Sequence, residues 1–312
     1  MISRRAALVV GAGLALPGYA HAARRESVEL LVPGAPGSPA DRWARGVAPF
    51  LERAWPRQPL RVRNQPGRGG LAAVAELAAS GSTKVIAVLT TPLLLARAVE
   101  AGEPSPLERI APLAAVVEEH VVLVTAPGGP ADMEALRSAA AGAPIGTPQA
   151  GTGAHVTGAR LAERLGRPVL AFPSAAAARQ AAASGHVAAA VLTLPDAIGL
   201  LRENRLVALG VASSRRSPLL PEAPTLREAG LELLGATRRG FALATGAPPQ
   251  WRAWLLAGLE AMAADPDLAT HCAENGQVPR FLGTEAWNGL MRRQEEELAR
   301  RWREEPWLPR RA

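Results

Sequence analysis

Pro144-Ile145-Gly146-Thr147-Pro148-Gln149-Ala150-Gly151-Thr152-Gly153-Ala154-His155 joins a short apolar run to a helix-forming run from Val156 to Leu165. A loop of such small residues ahead of a helix leaves backbone N–H groups bare at the helix N-terminus, where the macrodipole favours an anion. A second loop of the same design, Pro33-Gly34-Ala35-Pro36-Gly37-Ser38-Pro39-Ala40-Asp41, lies near the start of the chain. Two anion-cradling loops in separate halves predict a cleft that holds a carboxylate. They do not specify a reaction.

Outward from these loops, short apolar β-type runs alternate with helical runs rich in Ala, Leu and Arg, which predicts an α/β fold with mainly parallel sheets. Strands are expected at Val28–Val32, Leu60–Asn64, Val85–Leu89, Val121–Thr125, Pro144–Gly146, Val169–Phe172, Ala188–Leu192 and Val207–Ala212. Helices are expected at Ala40–Ala54, Leu71–Ser80, Pro92–Ala101, Ala131–Ala141, Val156–Leu165, Ala175–Ser184, Pro195–Glu203, Pro248–Ala264 and Thr284–Arg303. The segments 120–129 and 235–247 read as crossings between two domains. The first domain is then built from 23–125 plus 236–312, and the second from 126–235. Such a clamshell sets the two loops on facing lips of a cleft, at the carboxyl ends of strands.

The N-terminus has the form of an export signal of residues 1–22. Arg4 and Arg5 precede an apolar core, Ala6 to Leu16, and Ala20-His21-Ala22 has the small-x-small form of a cleavage site. The apolar run is shorter than the roughly 20 residues a membrane span needs. The pair of arginines also bears a faint likeness to a twin-arginine signal. Cys272 is the single cysteine, so an exported chain would carry no internal disulfide and must rely on a full-size core. Neither a metal site nor a cofactor is expected. The net charge is +7, yet the arginines alternate with acids, as in Arg292-Arg293-Gln294-Glu295-Glu296-Glu297. That is a solvated helical face rather than a nucleic-acid-binding surface.

These stretches resemble the periplasmic substrate-binding receptors of tripartite tricarboxylate transporters, the Bug family. Pro36 to Arg45 is similar to the family's first loop, and Arg63-Asn64-Gln65-Pro66-Gly67-Arg68-Gly69-Gly70 to its Asn-Arg-Pro-Gly-Ala-Gly-Gly stretch. Gly146 to His155 follows its second loop without a gap. Pro224-Thr225-Leu226-Arg227-Glu228-Ala229-Gly230 matches its Pro-Thr-x-x-Glu-Ala-Gly signature. The resemblance implies a two-domain, periplasmic-binding-protein-like clamshell closing on a small organic carboxylate, with transporter membrane subunits as partners. It also implies a periplasmic location, and the receptor is expected to act as a monomer. Carried over residue by residue, the grip falls to Ala35, Gly37, Ser38 and Asp41 from the first loop and Thr147, Gln149, Thr152, Gly153 and His155 from the second. Gly34, Phe172 and Thr193 complete the candidate ligand-binding set.

Several positions depart from the family pattern. Gly34 stands where an aromatic is usual, Ser38 and Gln149 where glycine is, Phe172 where tyrosine is, and Ala188 where an acid is. The expectation drawn from them is a less polar far wall. The ligand would have one gripped carboxylate and a moderately apolar body, aromatic or short and branched, ahead of citrate. Asp41 is expected to cap a helix, order water or accept a ligand ammonium group, since it cannot partner an ionised carboxylate. Trp251, Trp254, Trp287 and Trp302 read as packing residues, with Trp43 nearer the cleft. An exported hydrolase is the rival class, but no Gly-x-Ser-x-Gly elbow, His-Glu-x-x-His motif or P-loop is present. A solute-sensing protein that signals instead of feeding a transporter would use the same clamshell.

Overall fold

The computed structural model describes residues 27–56, 58–140 and 142–307; the expected export segment lies outside them. The chain runs β1 (Val28–Val32), α1 (Pro39–Ala54), β2 (Leu60–Asn64), α2 (Leu71–Ala79), β3 (Val85–Thr91), α3 (Leu93–Ala101) and β4 (Ile110–Thr125). It continues through α4 (Met133–Ser138), β5 (Ile145–Thr147), α5 (Gly153–Leu165), β6 (Val169–Ala171), α6 (Ala175–Ala183), β7 (Ala189–Thr193), α7 (Leu194–Arg202) and β8 (Val207–Val211). It returns through β9 (Ala236–Ala244), α8 (Pro249–Ala263), α9 (Pro266–Glu274), β10 (Val278–Leu282) and α10 (Thr284–Glu304).

The fold is α/β, with strand order β2-β1-β3-β9-β4-β7-β5-β6. β1, β2 and β3 are mutually parallel, as are β5, β6 and β7. Between these parallel flanks run β9, antiparallel to β3, and β4, antiparallel to β9 and β7. β4 is one unbroken strand that changes partners along its length. Ile110 to His120 pairs with β9, and Val121 to Val124 pairs with β7. β10 and β8 pair with the first and second halves of β4 respectively.

β9, β10, α9 and the first half of β4 were not among the expected elements. The β9 run Ala-Thr-Arg-Arg-Gly-Phe-Ala-Leu-Ala carries two charged residues. That disguises a strand buried on both faces, which ordinarily reads as a continuous apolar run. Helix starts have local causes, although α5 begins at Gly153, three residues before the expected Val156. Ser38, Thr152 and Ser174 each accept a first-turn N–H through their hydroxyl, and Pro stands in the first turn of α1, α8 and α9.

Alternate strand residues feed helical layers on opposite faces. In the first half, Leu30, Val32, Phe241 and Leu243 pack with Trp43, Trp55 and Leu255, while Leu31, Ala87 and Ala242 face Leu95, Trp287 and Met291. In the second half, Val121 and Val191 pack with Leu161 and Leu226, while Val122 and Leu192 pack with Ala182 and Leu194. Trp55 and Trp287 are fully buried. Trp251 and Trp254 stack on each other with ring centroids 4.9 Å apart. Cys272 is buried in the core, which pushes its thiol up to about 12 and leaves it inert.

At Gly240 the strands and α10 meet most closely: a Cβ there would stand 2.1 Å from the Ala114 carbonyl oxygen and 2.7 Å from the Trp287 ring. Gly240→Ala would normally favour a strand. Here it should destabilise by about 1–3 kcal/mol or more, because backbone must move to admit the methyl group. Thermal unfolding of the variant checks this, and an unchanged midpoint would contradict it.

Candidate functional site

The parallel strands β1, β3, β5, β6 and β7 each feed directly into a helix, so the helix N-termini gather at their carboxyl ends. A cavity of about 600 Å³ lies there. The first residues of five helices border it: Ser38, Pro39 and Ala40 of α1, Leu93 of α3, Gly153 and Ala154 of α5, Ala175 of α6, and Pro195 and Asp196 of α7. The convergent positive dipole ends make it an environment for an anion.

The first loop is held by a buried network centred on Asp41. Its carboxylate accepts the Gly37 N–H at 2.8 Å, the Asn64 amide at 2.9 Å and Arg45 Nε at 2.9 Å. Asn64 also donates to the Gly34 carbonyl at 2.8 Å, which explains why the end of β2 carries asparagine. Burial alone would raise the Asp41 pKa. The three donors outweigh it and hold the carboxyl at about 2. Asp41 is therefore a scaffold group with its acceptors filled, and the Gly37 N–H is spent on it. Gly37 takes a left-handed φ of 77° to make that turn.

Gly34 and Ser38 form a coupled pair. A Cβ at Gly34 would lie 2.3 Å from Ser38 Oγ. The hydroxyl therefore fills the space a side chain at 34 would need, and the two departures from the family pattern go together. Ser38 Oγ accepts the Asp41 N–H at 3.3 Å. Its own proton remains for a ligand.

The second loop is likewise self-supported. Thr152 Oγ1 donates to the Gln149 carbonyl at 2.9 Å and accepts the His155 N–H at 3.2 Å. Thr147 is fully buried behind the loop, its hydroxyl on the Pro148 carbonyl at 3.1 Å. Gly151 adopts φ 78°, and its N–H reaches His155 Nδ1 at 3.3 Å. Arg97 of α3 donates to the Ala150 carbonyl at 3.0 Å, tying this loop to the other half of the molecule.

Of the candidate residues, Gly34, Ser38, Gln149, Thr152, Gly153 and Thr193 border the cavity. Ala35 and Gly37 are exposed at the loop tip, while Asp41, Thr147 and His155 are buried behind the loops. Phe172 donates its N–H to the Thr147 carbonyl at 2.8 Å, and the adjoining Pro173, Ser174 and Ala175 reach the cavity instead. Backbone donors do more than side chains here. The N–H groups of Asp41 and His155 go to the cap hydroxyls, and those of Arg42 and Val156 to the cap carbonyls. This leaves the N–H groups of Ala40, Gly153 and Ala154 for a ligand.

The far wall differs from the expectation. It includes a buried ion pair that the expectation did not contain. Arg239 Nε donates to Glu119 Oε1 at 2.6 Å, and Gln277 Nε2 donates to the same oxygen at 2.8 Å. Arg239 also reaches Thr90 Oγ1 at 3.3 Å, and its guanidinium lies 5.9 Å from the Trp43 ring centroid. Asp196 stands near this pair at the start of α7. These residues escaped the sequence reading because they sit on β4, β9 and the segment before β10. The signal was present as Glu119 and Arg239, charges inside otherwise apolar runs. Among the described residues, no group of His, Cys, Asp or Glu is arranged to hold a metal ion.

His155 is 3% exposed, and burial together with nearby Arg97 pulls its pKa down to about 4 from 6.5. The folded state therefore binds fewer protons than the unfolded state between those values. Stability should be complete above about pH 6.5 and fall as pH drops toward 4, by up to about 3 kcal/mol from this group. His155→Gln should flatten that part of the profile. Urea unfolding of both proteins at neutral and mildly acidic pH would show it, and equal slopes would rule it out.

Residues 45–299 match the family model described as "Tripartite tricarboxylate transporter family receptor". Protein BugT of Bordetella pertussis is 29% identical over 233 residues, 71% of each chain. A TctC solute-binding protein from Polaromonas superposes with a TM-score of 0.77 at 22% identity, covering 90% of this chain and 99% of that one. MatC from Rhodopseudomonas palustris, solved with bound malate, gives 0.70 at 23% identity, covering 88% and 98%. With its family model spanning most of the chain and the same fold in solved members, this protein belongs to the tripartite tricarboxylate transporter receptor family.

Proposed function

We propose that this chain is an exported periplasmic receptor that captures a small organic carboxylate and presents it, as a monomer, to the membrane subunits of a tripartite transporter. The observation that carries this reading is the convergence of helix N-termini on one cavity, with the Ala40, Gly153 and Ala154 N–H groups unspent. A carboxylate is acceptor-only, and each hydrogen bond to it contributes about 1.5–3 kcal/mol. Three or four such bonds support micromolar binding after the cost of association. The malate bound by MatC belongs to the same chemical class.

Capture works by closure of two lobes, 23–125 with 236–312 and 126–235, whose facing loops each supply donors. The ligand shifts the population toward the closed form by binding it more tightly. The hydrogen bonding of the cavity hydroxyls supports the receptor reading. Its loop hydroxyl Thr152 is spent on backbone, and among the described residues no cavity hydroxyl is hydrogen-bonded to His271.

A thermal-shift screen of the protein against small carboxylates tests the reading. At a hundredfold excess over Kd, a ligand adds about 2.7 kcal/mol, a rise of several degrees. Folded, ligand-free protein that responds to no carboxylate would refute it. Gly153→Ala supplies a sharper test, since a Cβ there would lie 2.5 Å from Thr237 Oγ1 and 3.1 Å from the Ala236 carbonyl oxygen. The added methyl group should part α5 from β9 and weaken carboxylate binding about tenfold or more by isothermal titration. Unchanged affinity would remove the α5 N-terminus from the grip.

A further inference from the structure

We propose that Asp196 reads a positively charged group on the ligand, so that the cavity takes a small amino carboxylate. This inference rests on the receptor reading above and specifies the second end of its ligand. The carboxylate lies at the helix N-termini, and the ammonium group lies at Asp196.

The argument is one of charge accounting inside a confined space. Arg239 and Glu119 satisfy one another, with Glu119 also taking Gln277, so that pair closes on itself. Arg42 is exposed at the mouth and donates to the Gly37 carbonyl. Asp196 forms no ion pair among the described residues, and Arg239 and Arg179 act on it only at longer range. Its Oδ2 accepts the Thr193 hydroxyl at 2.7 Å, while Oδ1 has no partner among the described residues. The nearest cation on its own side, Arg179 of α6, donates to the Asp196 backbone carbonyl at 2.8 Å and forms no ion pair with the carboxylate. Asp196 borders the cavity as the third residue of α7.

A purely local role accounts for less. A capping-box acid accepts the backbone N–H of its own cap residue. Asp196 instead takes the Thr193 side chain, while Thr193 itself pairs with Val121 in the sheet. A confined carboxylate without a counter-ion is costly, and an incoming ammonium relieves it. Burial, helped by the neighbouring Glu119, pushes the Asp196 pKa up against the opposing Thr193 hydrogen bond and the charges of Arg239 and Arg179. The cavity of about 600 Å³ falls in the range that encloses small ligands. Its two recognition features then have opposite sign, which suits a zwitterion and works against a second carboxylate.

Isothermal titration of the protein, stripped of co-purifying ligand, tests the proposal. The probes are straight-chain acids of roughly four to six carbons. Each length is offered as the plain monocarboxylate, the dicarboxylate, and the α- and ω-amino carboxylates. One amino carboxylate should bind about tenfold or more tightly than the plain acid and dicarboxylate of its length. In Asp196→Asn that ratio should fall to about threefold or less. Asp196→Ser provides the same comparison should the Asn variant fold poorly, with melting curves as the check on both. The proposal is overturned if a dicarboxylate or plain acid binds best, or if the amine preference survives both substitutions. Carboxylates that bind without regard to the amine leave the receptor reading standing. Absence of binding by every probe overturns this inference, and the thermal-shift screen over the wider set of carboxylates then decides the receptor reading.

Discussion

The structure depends on one strand that belongs to both halves of the molecule. β4 is hydrogen-bonded to β9 up to His120 and to β7 from Val121, so the two parallel flanks share a continuous backbone element. Backbone amides buried this deeply must find partners, and a strand with neighbours along its whole length satisfies them without a loop at the seam. The flanks then present their carboxyl ends toward each other. The chain emerges there into helix N-termini with unmet N–H groups, and the binding cavity follows from that arrangement.

The loops around the cavity show a division of labour that reverses the usual emphasis on side chains. Asp41, Thr152, Thr147 and His155 spend their polar atoms shaping backbone, and the backbone supplies the open donors. Asp41, Thr147 and His155, which help hold the loops, are buried. The side chains that do vary the cavity's chemistry stand elsewhere, on β4, β9 and α7. Glu119, Arg239 and Asp196 therefore shape the cavity from elements outside the two loops.

The Gly34–Ser38 pair illustrates how a departure from the family pattern propagates. A side chain at position 34 would require the Ser38 hydroxyl to turn away, so the two positions are coupled. The cavity is reshaped toward polar contacts near the first loop. The cavity wall also holds a buried ion pair, which the changes at positions 172 and 188 gave no sign of.

The amino-acid sequence alone determined the features whose causes lie within a few residues. Helix starts at Pro39, Gly153 and Ala175 follow from cap hydroxyls one residue earlier, and the tight turns from glycine at 37 and 151. The flanking strands were legible from their apolar runs, and the pair of anion loops from their composition. Only the tertiary structure decided which loop groups were spent internally, because Asn64 meets Asp41 across 23 residues and Arg97 meets Ala150 across 53. The central strands were hidden for the same reason. Arg239 looks like a surface residue until Glu119, 120 positions earlier, neutralises it within the sheet. Charges paired over such separations leave no periodic trace in the chain.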